Sequence, residues 1–99
     1  MFLTDRSGTI VYASKQIEIL TGYTAEEVIG KTPALWGKQM PPEFYQTLWQ
    51  DILVQKKAVS ATVTNKHKNG SLYTAQISIS PILDNNGNVA HFLGIQTAL

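Results

Sequence analysis

Few side chains in this sequence have the types and spacing that a catalytic centre requires. The chain has no cysteine, which removes thiolate catalysis, disulfides and cysteine-based metal sites. Its two histidines, His67 and His91, fall in a polar turn and near the start of an apolar segment, so we expect surface residues rather than ligands. Glu26 and Glu27 are explained by helix capping, and Asp84 by a turn. With no nucleophile–base pair and no glycine-rich phosphate loop, we predict that the protein is not an enzyme and holds no metal.

The composition is that of one small folded domain. Its 99 residues suffice for one compact domain, which we place at residues 1–99, and 43% of them are apolar. A formal net charge of +1 offers no basic excess for phosphate binding, so no nucleic acid is expected as a partner. The sequence shows no signal peptide and no apolar run of about 18 residues or more. We therefore expect a cytoplasmic protein without direct membrane contact.

The first half of the chain begins with two short strands and continues with helices. Met1–Thr4 and Thr9–Ala13 flank a polar turn that ends in glycine, which predicts a hairpin. Ser14 is expected to cap the helix that follows. We expect Ile17 and Leu20 of this helix to face the core, with Ile19 as a further candidate.

The second half contains the longest predicted helix and three strands. Pro41–Gln55 carries apolar residues at the i, i+4 and i+8 spacing of one helix face. Ala58–Asn65, Ser71–Ser80 and Val89–Ala98 follow as strands, separated by an Asn-Gly turn and an Asp-Asn-Asn-Gly turn. Pro81 is expected to end regular pairing of the middle strand. This element order predicts an α+β fold, an antiparallel sheet of about five strands with helices packed on one face.

Five segments resemble the PAS family, in order and across nearly the whole chain. They are Leu3–Ile10, Leu20–Lys31, Asn65–Tyr73, Ile79–Ile82 and His91–Gln96. The resemblance implies a curved five-stranded sheet that encloses a pocket beneath the helices. It also implies a sensory or dimerisation module of a multidomain signalling protein, as in two-component systems. Such a module regulates a linked kinase, cyclic-dinucleotide enzyme, chemoreceptor or transcriptional regulator.

The hairpins define the expected strand order within this sheet. One hairpin lies at each end of the chain, and the helices lie between them. The last strand must then lie between the first and the fourth strands, where neighbours on both sides cover its apolar pattern. We therefore predict the strand order 2-1-5-4-3.

Flavin is the cofactor that the resemblance raises first. Asn65 and Gln96 match two polar flavin contacts of the light-sensing PAS branch, whereas Ala75 replaces a third contact, an amide. Pro33 stands where that branch has the cysteine that attacks flavin, which excludes a flavin–thiol adduct. Haem-binding members supply a histidine from the helix that corresponds to Pro41–Gln55, and this helix has none. We expect no tightly bound cofactor, with flavin as the alternative. In the simplest interpretation, Asn65 caps a hairpin and Gln96 fills a small polar pocket.

Strand alternation predicts which side chains face the helices. Ile77 lies on that side of its strand, and Trp49 of the long helix is expected to face it across the core. Together with Asn65 and Gln96 they are our candidate lining of a pocket, although such a lining is equally typical of a filled core. Two functions remain open: a cofactor-free interaction module, and a sensor of flavin or of a small redox or metabolic ligand.

The opposite face of the predicted sheet carries no charged residue at the positions that we assign to it. These positions are Leu72, Thr74, Gln76, Ser78, Ile82, Leu93 and Ile95. A sheet face exposed to water normally carries charges, which also prevent unwanted pairing. We therefore expect a homodimer in which a second copy covers this outer face, with a flanking helix of the same chain as the alternative. The flanking domains of the same chain are the other expected partners.

Overall fold

The computed structural model describes residues 1–99 and shows one five-stranded antiparallel sheet. The strands are β1 (Phe2–Asp5), β2 (Ile10–Ala13), β3 (Val59–Lys66), β4 (Leu72–Leu83) and β5 (Val89–Ala98). Their order is β2-β1-β5-β4-β3, which confirms the order predicted from the sequence. The central strand is β5, whose Gly94 is paired with Phe2 on β1 and with Ile79 on β4. The two terminal hairpins are thereby joined into one sheet.

Three helices and one 3-10 turn lie between the two hairpins. The helices are α1 (Lys15–Thr21), α2 (Ala25–Val28) and α3 (Pro42–Val54), and the 3-10 turn spans Pro33–Leu35. Gly22 follows α1 with a φ of 81°, a left-handed conformation that glycine adopts without steric cost. Thr24 and Glu27 form a capping box at the start of α2. None of the helices is long and apolar enough to cross a membrane.

The start of α1 and its exposed side differ from the sequence prediction. Ser14 occupies the N-cap position, but its side chain makes no capping hydrogen bond. Ile17 is buried as expected, whereas Ile19 is 78% exposed, so the prediction for Ile19 was wrong. Residues two positions apart on a helix are separated by about 200° around its axis. A short helix that buries Ile17 therefore turns Ile19 towards solvent.

Strand β4 continues beyond the residue at which the sequence predicted its end. Pro81 is paired with Phe92 in the ladder between β4 and β5, and β4 runs on to Leu83. The ladder between β3 and β4 stops at the pair formed by Val59 and Ile79. Pro81 therefore lies where β4 has one unpaired edge, and a proline, which has no N–H to donate, is tolerated there.

Two clusters of buried apolar side chains fill the space between the helices and the sheet. The first consists of Phe2, Ile10, Ala13, Ile17, Val28 and Trp36, and the second of Leu48, Ile52, Ile79 and Phe92. The first cluster joins the β1–β2 hairpin to α1 and α2, and the second joins α3 to β4 and β5. A cavity lies where the clusters adjoin, since both contribute side chains to its wall.

Candidate functional site

A cavity of about 460 Å³ lies between α3 and the inner face of the sheet. Its wall includes all four residues that the sequence singled out: Asn65 on β3, Ile77 on β4, Gln96 on β5 and Trp49 on α3. The volume lies within the range of about 300–1,000 Å³ that is typical of small-molecule sites. The structure therefore brings the four candidates together around one space.

Strand register brings the two amide side chains together. Asn65 is paired with Tyr73 and Gln96 with Ile77, so the two amides lie diagonally on either side of Ala75 on β4. Ala75 is fully buried, and its single methyl group leaves space in which the amides meet. A longer side chain at Ala75 would stand between them. The alanine that removes one expected polar contact thus permits contact between the other two.

The Gln96 side chain accepts from two donors but donates to none. Asn65 Nδ2 donates to Gln96 Oε1 at 3.1 Å, and the Tyr73 hydroxyl donates to the same oxygen at 3.1 Å. Gln96 is 2% exposed, and its Nε2 has no hydrogen-bond partner. A buried donor without a partner costs about 1–3 kcal/mol. A bound molecule with an acceptor at this point would recover that free energy.

Tyr73 and Asn65 both act on Gln96 rather than on the turn between their strands. Burial raises the pKa of Tyr73, so its hydroxyl keeps its proton and remains a donor at physiological pH. The β3–β4 turn is closed instead by Asn69, whose Oδ1 accepts from the Ser71 N–H at 2.9 Å. The interpretation in which Asn65 caps this hairpin is therefore wrong.

Two aromatic pairs contribute to the wall of the cavity. Trp49 and Phe92 meet edge to face with ring centroids 5.2 Å apart, and Phe2 and Trp36 do so at 5.5 Å. Phe2 and Trp36 were not among the candidates from the sequence. The signal for Trp36 was a large apolar side chain in an otherwise irregular loop. This loop is attached to β3 by the Lys66 N–H, which donates to the Trp36 carbonyl at 2.7 Å.

The two histidines lie outside the cavity. His91 Nδ1 is 3.0 Å from the carbonyl oxygen of Thr4 on the neighbouring strand. The His67 ring packs against Gly22, where a Cβ would overlap it. No three His, Cys, Asp or Glu side chains are grouped so that they could hold a metal ion. The cavity wall provides two buried amides for hydrogen bonding, aromatic and aliphatic surface, and the exposed residues Arg6 and Lys38.

Known proteins are similar to this chain in sequence. The family model described as the PAS fold matches residues 1–97. A nitrogen fixation regulatory protein from Klebsiella oxytoca is 34% identical over 95 residues, which are 95% of this chain and 19% of that protein. A blue-light-activated histidine kinase from Brucella anthropi is 31% identical over 88 residues; the match covers 88% of this chain and 18% of that protein.

A solved structure supports the same assignment. It is a Light-Oxygen-Voltage domain whose description names a flavin analogue, and it matches with a TM-score of 0.86 at 29% identity. The match covers 99% of this chain and 75% of that chain. The present chain spans only 18–19% of the two relatives, which are by name a regulatory protein and a light-activated histidine kinase. By sequence and by fold, the chain belongs to the PAS family.

Proposed function

We propose that this PAS domain is a non-enzymatic sensor module, in which a small molecule bound reversibly in the cavity regulates an output domain of a longer cytoplasmic protein. The observation that carries the proposal is the buried, unpartnered Nε2 of Gln96 in the wall of the 460 Å³ cavity. Each of the two relatives named above is more than five times as long as the matched segment, which supports a module that acts on flanking domains.

The position of Gln96 on β5 would allow a ligand in the cavity to change the outer face of the sheet. Gln96 lies on β5, which is paired with β4 beside it. Neighbouring residues on a strand point to opposite faces, so the side chains of Ile95 and Thr97 lie on the face opposite Gln96, and both are exposed. A ligand that prefers one position of Gln96 would therefore shift residues that a partner can contact.

A matched pair of variants tests ligand sensing. Ile77→Phe adds a ring to the cavity wall, whereas Ile19→Phe makes the same change at a helix position that is 78% exposed. We would screen uncharged aromatic ketones and heterocycles by thermal unfolding and amide NMR. We expect compounds that stabilise the native chain and Ile19→Phe alike. Overpacking of the wall should weaken their binding to Ile77→Phe by roughly tenfold.

Two results of this screen would contradict the sensor proposal. One is equal binding to both variants, which would place the compounds outside the cavity. The other is the absence of binding by every compound. Either result would favour the cofactor-free interaction module instead.

Flavin is a second and more specific candidate ligand. It is supported by the light-dependent relative and by the flavin analogue named for the solved neighbour. Gln96 and Asn65 would hold the polar edge of the ring, and a bound flavin would supply light absorption and electron transfer. Pro33 lies in the cavity wall and has no thiol. The residues therefore fit a flavin that is bound without a covalent bond.

Reconstitution tests the flavin candidate. We expect flavin mononucleotide to bind reversibly, with quenching of the fluorescence of Trp36 and Trp49, and Gln96→Leu to weaken this binding. Stoichiometric flavin retained through purification would contradict our sequence prediction of no tightly bound cofactor. No quenching at millimolar flavin would exclude flavin as the ligand.

We also propose that a second copy of the chain covers the outer face of the sheet. Apolar side chains on this face are exposed, with Leu72 at 62%, Ile95 at 45% and Ile82 at 40%. Charge lies only at its margins, where Lys66 is paired with Leu72 and where Asp5 ends β1. A symmetric partner is the commonest way in which such a surface is covered.

A further inference from the structure

Strand β3 forms one edge of the sheet, because it is paired with β4 alone. The backbone N–H groups of consecutive residues in an antiparallel strand point alternately to its two sides. The His67 N–H donates at 2.7 Å to the carbonyl oxygen of Ser71, across the hairpin with β4. The preceding N–H, of Lys66, donates at 2.7 Å to the Trp36 carbonyl on the opposite side. The even-numbered residues of β3 therefore direct their N–H and C=O groups away from β4.

Three successive even-numbered residues of β3 have backbone groups without a partner. They are Ser60, Thr62 and Thr64, and none of the backbone hydrogen bonds outside the helices and ladders involves them. The pairing of β3 with β4 shows no bulge, and β3 contains no proline. Bulges and prolines are common means by which proteins prevent pairing at a sheet edge. This edge has neither, so it can accept another strand.

The opposite edge of the sheet, β2, is covered by the chain itself. The Ile10 N–H donates to the Lys31 carbonyl at 2.7 Å, and the Ile10 carbonyl accepts from the Gly30 N–H at 2.9 Å. On β3 only the Lys66 N–H is covered in a comparable way. The open edge also belongs to the longer strand, since β3 has 8 residues and β2 has 4. The two edges therefore differ in both length and cover.

The charges around the open edge indicate what can pair with it. Residues 58–65 carry no charge, and the exposed Lys57 and Lys66 lie directly before and after them. Neither lysine forms an ion pair, because the ion pair of the structure joins Lys68 to Glu27. An uncharged centre between two cations is complementary to an extended segment that has an acidic residue at each end.

The same two lysines disfavour a second copy of β3 at this edge. An antiparallel pairing that matches all three open residues would be centred on Thr62, with Ser60 of each copy opposite Thr64 of the other. Lys66 of each copy would then lie beside Lys57 of the other, at both ends of the pairing. Like charges brought together across strands are destabilising. The charge pattern therefore favours a different segment over a second copy.

We propose that the open edge of β3 binds an extended segment of a partner protein, antiparallel to β3, with an uncharged centre and an acidic residue at each end. Backbone hydrogen bonds to Ser60, Thr62 and Thr64 supply the affinity, as in other cases of strand addition to a sheet. Lys57 and Lys66 supply the choice of partner. The inference does not depend on the proposed sensor function, because these groups are not those that would hold a ligand in the cavity.

Two isomeric peptides test whether these backbone groups are the contact. Both have the sequence Glu-Val-Thr-Val-Thr-Val-Thr-Val-Glu with blocked termini, so the threonines match the three open residues and the glutamates reach the two lysines. The first isomer has N-methyl groups on its second and third valines, which face away from β3, and these groups also prevent self-pairing. The second has them on its first and third threonines, which face β3. We expect the second isomer to bind at least about tenfold more weakly.

Amide hydrogen exchange and NMR titration give the readout at single residues. In the free chain the Thr62 N–H should exchange with solvent faster than the Val63 N–H, which faces β4. The first isomer should protect the N–H groups of Thr62 and Thr64 from exchange. It should leave the exchange of the Ile10 N–H on the covered edge unchanged.

The role of charge is tested separately. Replacing both glutamates of the first isomer by lysine should weaken binding by about tenfold, an effect that decreases as salt is added. The double variant Lys57→Gln, Lys66→Gln should weaken binding of the glutamate peptide by about threefold. Lys15→Gln, Lys31→Gln makes the same change in net charge at exposed positions outside β3 and should leave binding unchanged.

Four results would overturn this inference. Equal binding of the two isomers would show that the backbone edge is not the contact, and absence of binding at millimolar peptide would show that the edge accepts no such segment. Equal binding of the glutamate and lysine peptides would leave Lys57 and Lys66 only as protection against aggregation. Protection of the Thr62 N–H that rises with protein concentration, without peptide, would place a second copy at the edge. All four results leave the sensor function untouched.

Discussion

Because Gly94 has no side chain, the ring of Phe2 can pack directly against the backbone of β5. A Cβ at this position would overlap the Phe2 ring, which is 4% exposed and meets Trp36 edge to face. Gly94 also lies two residues before Gln96 on the same face of β5, so the Phe2 ring lies in the part of the cavity wall next to the Gln96 amide. The bare backbone of Gly94 therefore positions one wall of the cavity.

Gly94→Ala should destabilise the fold by about 1–3 kcal/mol, because the added methyl group must displace a buried ring. Urea denaturation measures the change. The double variant Phe2→Leu, Gly94→Ala provides the control, since the smaller leucine leaves space for the methyl group. The two substitutions should compensate each other in a double-mutant cycle. If they are additive, the Phe2 ring is not the reason that β5 has glycine at this point.

The residues of the cavity were predictable to different degrees. Asn65 and Gln96 lie on strands, where the alternation of side chains determines the face, and the family resemblance marked both. Arg6 lies in a turn and Trp36 in a loop, and their contribution to the cavity wall depends on how the turn and the loop fold over the sheet. No local period encodes that arrangement. Gln96 Nε2 lacks a hydrogen-bond partner because of how residues of β3, β4 and β5 are placed around it, and the sequence alone gave no sign of this.

At the scale of elements, two aspartates organise the turns at the same end of the sheet. Asp5 Oδ1 accepts from the backbone N–H groups of Ser7 and Thr9 at 2.9 and 3.0 Å in the β1–β2 turn. Asp84 Oδ1 accepts from the N–H groups two and four residues later, also at 2.9 and 3.0 Å, in the β4–β5 turn. Each carboxylate thus takes the place of water as the acceptor for backbone N–H groups of the turn that make no hydrogen bond within the sheet.

These hydrogen bonds lower the pKa of both carboxyl groups from the ordinary value of 3.8. The Ser7 hydroxyl is the main cause for Asp5, and the Asn88 backbone N–H is the main cause for Asp84. A carboxyl group with a lowered folded-state pKa stabilises the fold fully above its unfolded-state pKa. That contribution is lost as the pH falls through the folded-state pKa.

We therefore expect the stability of the native chain to decrease as the pH falls below 3.8, the ordinary carboxyl value. The variants Asp5→Asn and Asp84→Asn keep an acceptor oxygen but remove the titration, so their stability should decrease less over that range. Urea denaturation at a series of pH values measures the difference. Asp51→Asn is the control, because Asp51 accepts only a 3.5 Å bond from Gln55. An equal acid loss in all four proteins would contradict the assignment.

Periodicity predicted the elements well and their limits less well. The apolar spacing of the long helix predicted Pro41–Gln55, and the structure has Pro42–Val54. The prediction that β4 ends at Pro81 was wrong. Strand β4 extends beyond the end of its pairing with β3 and stays paired with β5 on its other side. The prediction that Ile19 is buried was wrong, because a short helix can carry more apolar residues than its core-facing side can bury. Both errors concern which neighbours are present, which is a tertiary property.

At the scale of the whole molecule, the sheet is covered on one face only. Helices and the cavity lie on the inner face, while the outer face carries exposed apolar side chains such as Leu72 and Ile95. Antiparallel sheets tolerate water on one face when that face is polar. This outer face mixes apolar with uncharged polar residues, which favours an interface rather than a solvated surface. An interface there would also contact the residues that alternate with Gln96 on β5.

The proposed homodimer can be tested by placing charge on this face. Leu72→Glu and Ile95→Glu should each weaken self-association by about tenfold or more, because a buried carboxylate without a partner is costly. Ile19→Glu is the matched control, since Ile19 is 78% exposed on α1, away from the sheet face, and should leave association unchanged. Light scattering over a concentration series gives the monomer–dimer equilibrium, and thermal unfolding verifies that each variant keeps its fold. A native chain that stays monomeric at high micromolar concentration would contradict the homodimer, and a flanking helix would then be the cover that the uncharged face requires.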